Sequence, residues 1–433
     1  MRYDVLVLGG GSAGCVLAAR LSEEAGRTVC LVEGGPDYGP YEQGRWPAEL
    51  LDPGDVPDTH QWDVNESPFW PLRARVLGGC SSHNVCLLAL APDADYDRWG
   101  DGWTATELAP YVRRALDTIA PSPHANEPDS FSPWFGTVAD ACAEHDLPLL
   151  RDMNDPPEAV GVGVGPFNIA NGVRWNAAFA YLDPARGRDN LTIRADAVVD
   201  RVNERGAIVD GKQVDAERVI LAAGACGSPA ILQRSGIEAG TNLADHPTAK
   251  LQFDATDDLR EATRAVGPVA FSHGIVKART ELCDGDAYDV HLLPITDRMG
   301  EAAHITVAVM DPSSRGEVRP PKVEHNLLAD ERDRETLRAG LALARRLAES
   351  DCIRRFATPT STSDDELIDS TLGIYFHPVG TCAIGSVVDR ECRVNGLDSA
   401  YVADASVMPS IPRANTHLTT LAIAERVAEI VAR

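Results

Sequence analysis

Apolar positions follow two rhythms at the start of the chain. Tyr3–Leu8 is a short apolar run, Gly9–Gly11 breaks it, Ala13–Leu21 carries apolar residues at helical spacing, and Thr28–Val32 returns to a β-branched, apolar run. Short runs bounded by glycine predict strands and the 3.6-residue spacing predicts a helix, so the opening reads strand, turn, helix, strand. From Gly34 to Pro71, Pro and Gly recur every few residues and predict loops. Arg73–Ala91 has a glycine turn near its start, and Pro121–Pro133 (PSPHANEPDSFSP) predicts an exposed linker or lid. Asn190–Leu221 reads as several short strands ending in Val219, Ile220 and Leu221. Residues 250–370 mix alternating strands with one amphipathic helix, roughly Asp330–Glu349, and Leu418–Arg433 predicts a closing helix. No internal repeat is present, and the mixture of elements predicts an α/β protein.

Composition narrows the partners. The chain has 433 residues, 44% apolar and 24% charged, which is enough to bury a core without a disulfide or a structural metal. Forty basic against 65 acidic side chains leave a net charge of −25, a field that repels phosphate backbones and anionic lipid heads and argues against a nucleic-acid role. Ten cysteines run from Cys15 to Cys392 without a CxxC pair, which predicts free thiols in a reducing compartment. No stretch approaches the roughly 20 apolar residues of a membrane span. Val5–Leu8 is far too short an apolar run for a signal peptide, so none is expected. The expectation is a soluble, cytoplasmic protein.

The first glycine cluster carries chemistry. Gly9-Gly10-Gly11-Ser12-Ala13-Gly14 satisfies GxGxxG between a strand and a helix, and Glu33 ends the second strand 19 residues beyond Gly14. Such glycines allow a tight turn and close approach of backbone to a pyrophosphate on the helix N-terminus, with Ser12 and Ala13 in its first turn. Glu33 is placed to accept hydrogen bonds from the adenosine ribose, and its charge disfavours a 2′-phosphate. Arg218–Ala225 (RVILAAGA) is a returning strand ending in glycine, which a lone NAD domain does not need.

With that strand the sequence resembles the glucose-methanol-choline (GMC) family of FAD oxidoreductases, in collinear blocks over nearly the whole chain. They are GGGSAG at 9–14, VEGGP at 32–36, RVLGGCSSHN at 75–84, GACGSPAILQRSGI at 224–237, NLADHP at 242–247, SSRGEV at 313–318, FHPVGT at 376–381 and VADASVMPSIPRANTH at 402–417. The resemblance implies a Rossmann-like FAD-binding domain from 1–110, 172–250 and 375–433, with a reduced α+β substrate or cap domain from 111–171 and 251–374. It implies FAD contacts from Gly9, Gly11, Gly14, Glu33, Gly78, Gly79, Ser82, His83 and Asn84, from the backbone of Val198 at the adenine, and from Asp404 and Ala405. The plain alternative for Asp404 is a cap on the next turn. GGCSSHN is similar to the choline oxidase branch, where the histidine matching His83 is bonded to the flavin.

His377 and His417 lie 40 positions apart with no further ligand at metal spacing, so no metal site is expected. The resemblance makes His377 the first active-site histidine and sets His417 at the second position. Oxidising an alcohol removes a hydride to flavin N5 and a proton from the hydroxyl, and a neutral imidazole can take that proton. A second imidazole would orient the same oxygen. The implied activity is oxidation of a small-molecule alcohol, with oxygen or another carrier as the final electron acceptor. Left open are a mycofactocin-linked dehydrogenase, a GMC-fold lyase whose flavin is idle, and a flavin-binding protein without turnover. Pro247 and Phe376 are only 129 positions apart, which implies a trimmed substrate domain. Such a domain leaves an open pocket for a bulky substrate or one closed by a neighbouring subunit.

Overall fold

A computed structural model describes residues 2–62, 73–119, 131–266 and 274–433. Residues 121–130 of the expected linker or lid lie outside the described residues. From residue 133 the chain is helical, in Pro133–Glu144.

The first sheet is built as the opening pattern predicts. Strand β1 (Arg2–Leu8) leads through the glycine turn into helix α1 (Ser12–Leu21), and strand β2 (Val29–Val32) returns parallel to β1. Further strands are β3 (Leu191–Arg194), β4 (Val199–Asn203), β5 (Gly206–Val209) and β6 (Lys212–Leu221). The order across the sheet is β3-β2-β1-β6-β5-β4, and a short strand, Ala400–Val402, pairs with the far end of β6. The central strands are parallel and buried on both faces, which is why Val5–Leu8 and Val29–Val32 are continuously apolar rather than alternating. Helix α2 (Gly224–Arg234) follows β6, and the closing helix, Thr416–Ala432, packs on α1. Its Glu425 is fully buried but meets Arg20 at 2.8 Å.

The second sheet is antiparallel except at one edge. Strand β7 (Pro247–Ala255) lies between Ala357–Pro359 and Ala303–Val309. Beyond the latter come Val290–Thr296, Ile275–Ala278, Gly161–Gly163 and, parallel to it, Leu149–Leu150. Side chains of β7 alternate between buried and exposed, as a strand with one covered face requires. The cover is helix α3 (Glu331–Ala348), where Gly340 lets the helix close on the sheet: a Cβ there would fall 2.5 Å from Val307.

The region 250–370 holds more helix than its pattern predicts. Besides α3 it contains Asp257–Val266, Asp351–Phe356 and Asp364–Thr371. Asp351–Phe356 and Asp364–Thr371 bury only one or two side chains and are too short to register as a period, whereas Asp257–Val266 does carry helical apolar spacing at Leu259, Ala262 and Val266 that the expected single helix leaves out. All ten cysteines are free, and six of them are buried. Among the described residues no helix is long and apolar enough to cross a membrane, and no cluster of three or more His, Cys, Asp or Glu could hold a metal.

Candidate active site

Two glycine loops meet at the end of β1. Gly9 has φ +105°, and a Cβ on it would lie 2.6 Å from the Ala222 carbonyl oxygen. Gly14 faces the Gly9 carbonyl so closely that a Cβ would come within 1.8 Å, which locks α1 onto the turn. Gly11 caps α1 without a side-chain cap, so the first-turn N–H groups, including those of Ser12 and Ala13, are left for an anion. The second loop closes on the first. Gly78 N–H donates to the Gly10 carbonyl at 2.8 Å, and a Cβ on Gly79 (φ +55°) would fall 2.5 Å from the Gly11 Cα.

Glu33 sits beside both loops, 6% exposed. Its Oε2 accepts from Gly10 N–H at 2.7 Å and its Oε1 from Gly35 N–H at 2.8 Å, while burial pushes its pKa up. Each carboxylate oxygen keeps a lone pair for a ribose hydroxyl. Ser82 Oγ and both ring nitrogens of His83 are buried without a hydrogen-bond partner, and burial lowers the His83 pKa to about 4. The Asn84 side chain turns back to accept from Cys86 N–H at 3.1 Å. Val198 is exposed, with its N–H donating to Asp210 Oδ1 and its carbonyl accepting from Asp210 N–H, both at 2.9 Å. Asp404 accepts from Gly224 N–H (2.8 Å), the Ser228 hydroxyl (2.6 Å) and Ser406 N–H (2.8 Å). It therefore caps the turn Ala405–Val407 while tying it to α2. Orphaned polar atoms in Ser82 and His83, a double-glycine cradle and a buried acid with spare acceptors fit a bound dinucleotide.

The segment 376–381 is anchored on several sides. Ala244 and Val379 exchange backbone hydrogen bonds, Gly380 N–H donates to the Ala405 carbonyl, and the Thr381 hydroxyl donates to the Ala225 carbonyl. Three other motif blocks, at 224–237, 242–247 and 402–417, thus converge on one histidine loop. Phe376 adopts φ +64° and is 45% exposed, and His377 beside it is buried.

The surroundings of His377 are aromatic and polar at once. Its Nδ1 faces His246 Nδ1 at 3.1 Å, and its Nε2 faces Asn415 Nδ2 at 3.3 Å. Tyr375 stacks at a tilt on His377, ring centroids 4.4 Å apart, with its hydroxyl toward the Asn415 amide. Asp245 Oδ1 accepts from the backbone N–H of both His246 (2.8 Å) and His377 (2.9 Å), stapling the two segments together. Burial holds His377 well below the usual imidazole range and lowers His246 to about 3, so both rings are neutral near pH 7. The same desolvation lifts the Asp245 carboxyl to about 7.

His417 occupies the first turn of the closing helix, half-buried, with desolvation lowering its pKa to about 4 and its Nε2 without a partner. The residue that meets His377 from this segment is Asn415, the N-cap of that helix. Sequence reasoning passed over Asn415 and His246, although both lie inside quoted blocks.

Comparison with known proteins identifies the family. Residues 3–248 match the N-terminal and residues 310–424 the C-terminal GMC oxidoreductase model, leaving 249–309 unmatched. An uncharacterized GMC-type oxidoreductase from the thcA 5′ region of Rhodococcus erythropolis is 30% identical over 99% of this chain and 98% of its own. An oxygen-dependent choline dehydrogenase of Escherichia coli is 28% identical over 100% of this chain and 96% of its own. Among solved structures, pyridoxine 4-oxidase from Mesorbium loti superposes with TM-score 0.84 at 26% identity, covering 99% of both chains. The chain therefore belongs to the GMC oxidoreductase family and is an FAD-dependent oxidoreductase acting on CH–OH donors.

Proposed function

We propose that this chain oxidises an alcohol to a carbonyl with His377 as the base. The observation that carries the reading is a buried, neutral imidazole whose Nε2 shares a 3.3 Å contact with the Asn415 amide, so two polar groups converge where a hydroxyl can bind. When bound, FAD supplies the hydride acceptor. The loops at Gly9–Gly14 and Gly78–Gly79 would hold its pyrophosphate, Glu33 its ribose, Ser82 and Asn84 the flavin end, Asp404 and Ala405 the ribityl side, and the Val198 backbone, through the second lone pair of its carbonyl, the adenine. His377 removes the hydroxyl proton at Nε2, and Asn415 hydrogen-bonds the same oxygen and fixes its orientation. His417, the partner expected from the sequence, makes no hydrogen bond to His377; its Nε2 is unpartnered, and the side chain that meets the base is Asn415.

The finer cofactor reading is covalent attachment through His83. A neutral imidazole with both nitrogens buried and unpaired is a free nucleophile rather than a structural contact. Arg174 supports it by donating to the carbonyls of Ser82 (3.0 Å) and Asn84 (2.8 Å) on either side of His83. Acid precipitation reads this directly, since flavin remaining in the pellet supports the bond and flavin wholly in the supernatant rejects it.

The substrate reading rests on relatives that act on choline and pyridoxine. Anaerobic mixing of the holoenzyme with choline, pyridoxine and benzyl alcohol, followed by admission of air, tests it. Bleaching of the flavin by one of them supports alcohol oxidation, and recovery in air makes oxygen a competent acceptor. Formation of carbonyl product without flavin reduction would support the lyase instead. The sequence division into an FAD-binding and a reduced substrate domain is carried forward with this proposal, since the two sheets draw on those parts of the chain.

A further inference from the structure

His246 has no place in the chemistry so far, yet it is the nearest polar group to the far side of the base. The rings of His246 and His377 stand at 90°, centroids 5.3 Å apart, with Nδ1 against Nδ1 at 3.1 Å. Two neutral imidazoles in that geometry hold one proton between them, so one Nδ1 donates and the other accepts. Which does so decides whether His377 can act as a base. If its Nδ1 accepts, its own proton sits on Nε2, and the atom facing the alcohol has no lone pair to offer.

One feature selects the useful arrangement. Asn415 Nδ2–H points at His377 Nε2, which requires a bare nitrogen there and puts the His377 proton on Nδ1. His246 Nδ1, 3.1 Å away, is then the acceptor of that proton, which leaves the proton of the neutral His246 ring on Nε2. Asp245 fixes the pair by holding both backbones on one carboxylate oxygen. The other charged or titratable groups acting on the two rings are Asp311, Arg73, Tyr375 and His291.

We propose that His246 is a positioning residue for the base: its Nδ1 accepts from His377 Nδ1–H, which keeps the lone pair of His377 on Nε2 and shares the charge when that atom is protonated. In the step it serves, the substrate O–H bond breaks and an N–H bond forms at His377 Nε2. FAD, when bound, would accept the hydride released from the carbinol carbon, and the imidazolium keeps its Nδ1 proton against His246. Nothing is transferred to His246 itself. This rests on the assignment of His377 as base.

The test reads the tautomer without needing a substrate. The holoenzyme is labelled with ring-15N histidine, of which the chain has eleven, and the His377 signals are assigned by their loss in His377→Gln. The expected spectrum has His377 protonated at Nδ1 and bare at Nε2, and His246 protonated at Nε2. The opposite pattern overturns the proposal. His246→Leu should move the His377 Nε2 signal toward the protonated form. His246→Asn, whose Oδ1 stands where Nδ1 was, should restore the native pattern. His246→Gln, whose carbonyl reaches only the Nε2 position, should not. If the Leu variant fails to fold, the Asn and Gln variants decide alone, and identical spectra for them reject the idea.

With the alcohol that bleaches the flavin, His246→Leu should slow reduction about 10- to 100-fold while KM moves less than about threefold, and Asn should recover most of the rate. A wild-type rate in His246→Leu with a slow His377→Gln defeats the positioning role alone. A wild-type rate in His377→Gln defeats the base assignment beneath it.

Discussion

Desolvation keeps the buried histidines at the site neutral, with the Arg73 charge acting in the same direction on His377, and this has a kinetic consequence. His377 is held well below an ordinary imidazole pKa, so it stays unprotonated on the acid side of neutrality. Flavin reduction should therefore keep its rate below pH ~6.5, the usual imidazole value. An acid limb centred at or above that value in the pH profile would contradict it. Asp245 moves the other way. Its folded pKa of about 7 lies above the unfolded 3.8, so the carboxyl's protonated form is favoured on folding. That contribution is complete below pH 3.8 and is lost as pH rises through 7. Asp245→Asn keeps an oxygen for both backbone donors and removes the buried charge. It should unfold at a higher temperature than wild type at pH 8 and lose that advantage at low pH, a difference of at most about 4 kcal/mol. Greater instability of the variant at pH 8 would mean that the charge is compensated, with Arg73 the available cation. At this scale the sequence was legible for His377, whose block names it, and not for its neighbours. His246 acts across 131 positions, and Asn415 precedes the imidazole that attracts a search for titratable groups.

Elements were legible wherever one face or both faces of a segment repeat. The strand-turn-helix at 2–32, the strands before Leu221 and helix α3 all carry their period locally. The short helices at 351–356 and 364–371 do not, since tertiary packing rather than an apolar stripe decides them. What joins the two glycine loops was likewise invisible, being a contact between backbones. It makes a sharp prediction. Gly79→Ala places a Cβ 2.5 Å from Gly11 in a left-handed conformation, so both loops must part. The purified variant should carry little flavin per chain while retaining its far-UV spectrum, and a full flavin load would refute the cradle. Arg174 makes a related case. It is fully buried and donates to carbonyls of Leu50, Ser82, Asn84 and Asp55, with no carboxylate among the hydrogen-bond partners found for it. Arg174→Met should leave those acceptors unpaired, lower the unfolding temperature and, if His83 binds flavin covalently, reduce the fraction retained in an acid pellet.

At the scale of the whole molecule, the first sheet and the closing helix carry the blocks that match the family. The stretch 249–309, which includes most of β7 and three further strands of the second sheet, matches neither family model. Single-sequence reasoning had no recurring block to read in it. The net charge of −25 acts on whatever approaches. A cationic alcohol should lose kcat/KM as salt shortens the screening length from about 30 Å at 0.01 M to about 3 Å at 1 M, while a neutral alcohol should not. Equal salt dependence for both would remove steering from the account. The central claim is that a buried, neutral His377 takes the hydroxyl proton as the alcohol is oxidised. Its most direct test is the anaerobic rate of flavin reduction in His377→Ala against wild type, with equal flavin content confirmed beforehand. The account predicts a fall of roughly 10²- to 10⁴-fold. A rate near wild type would contradict it.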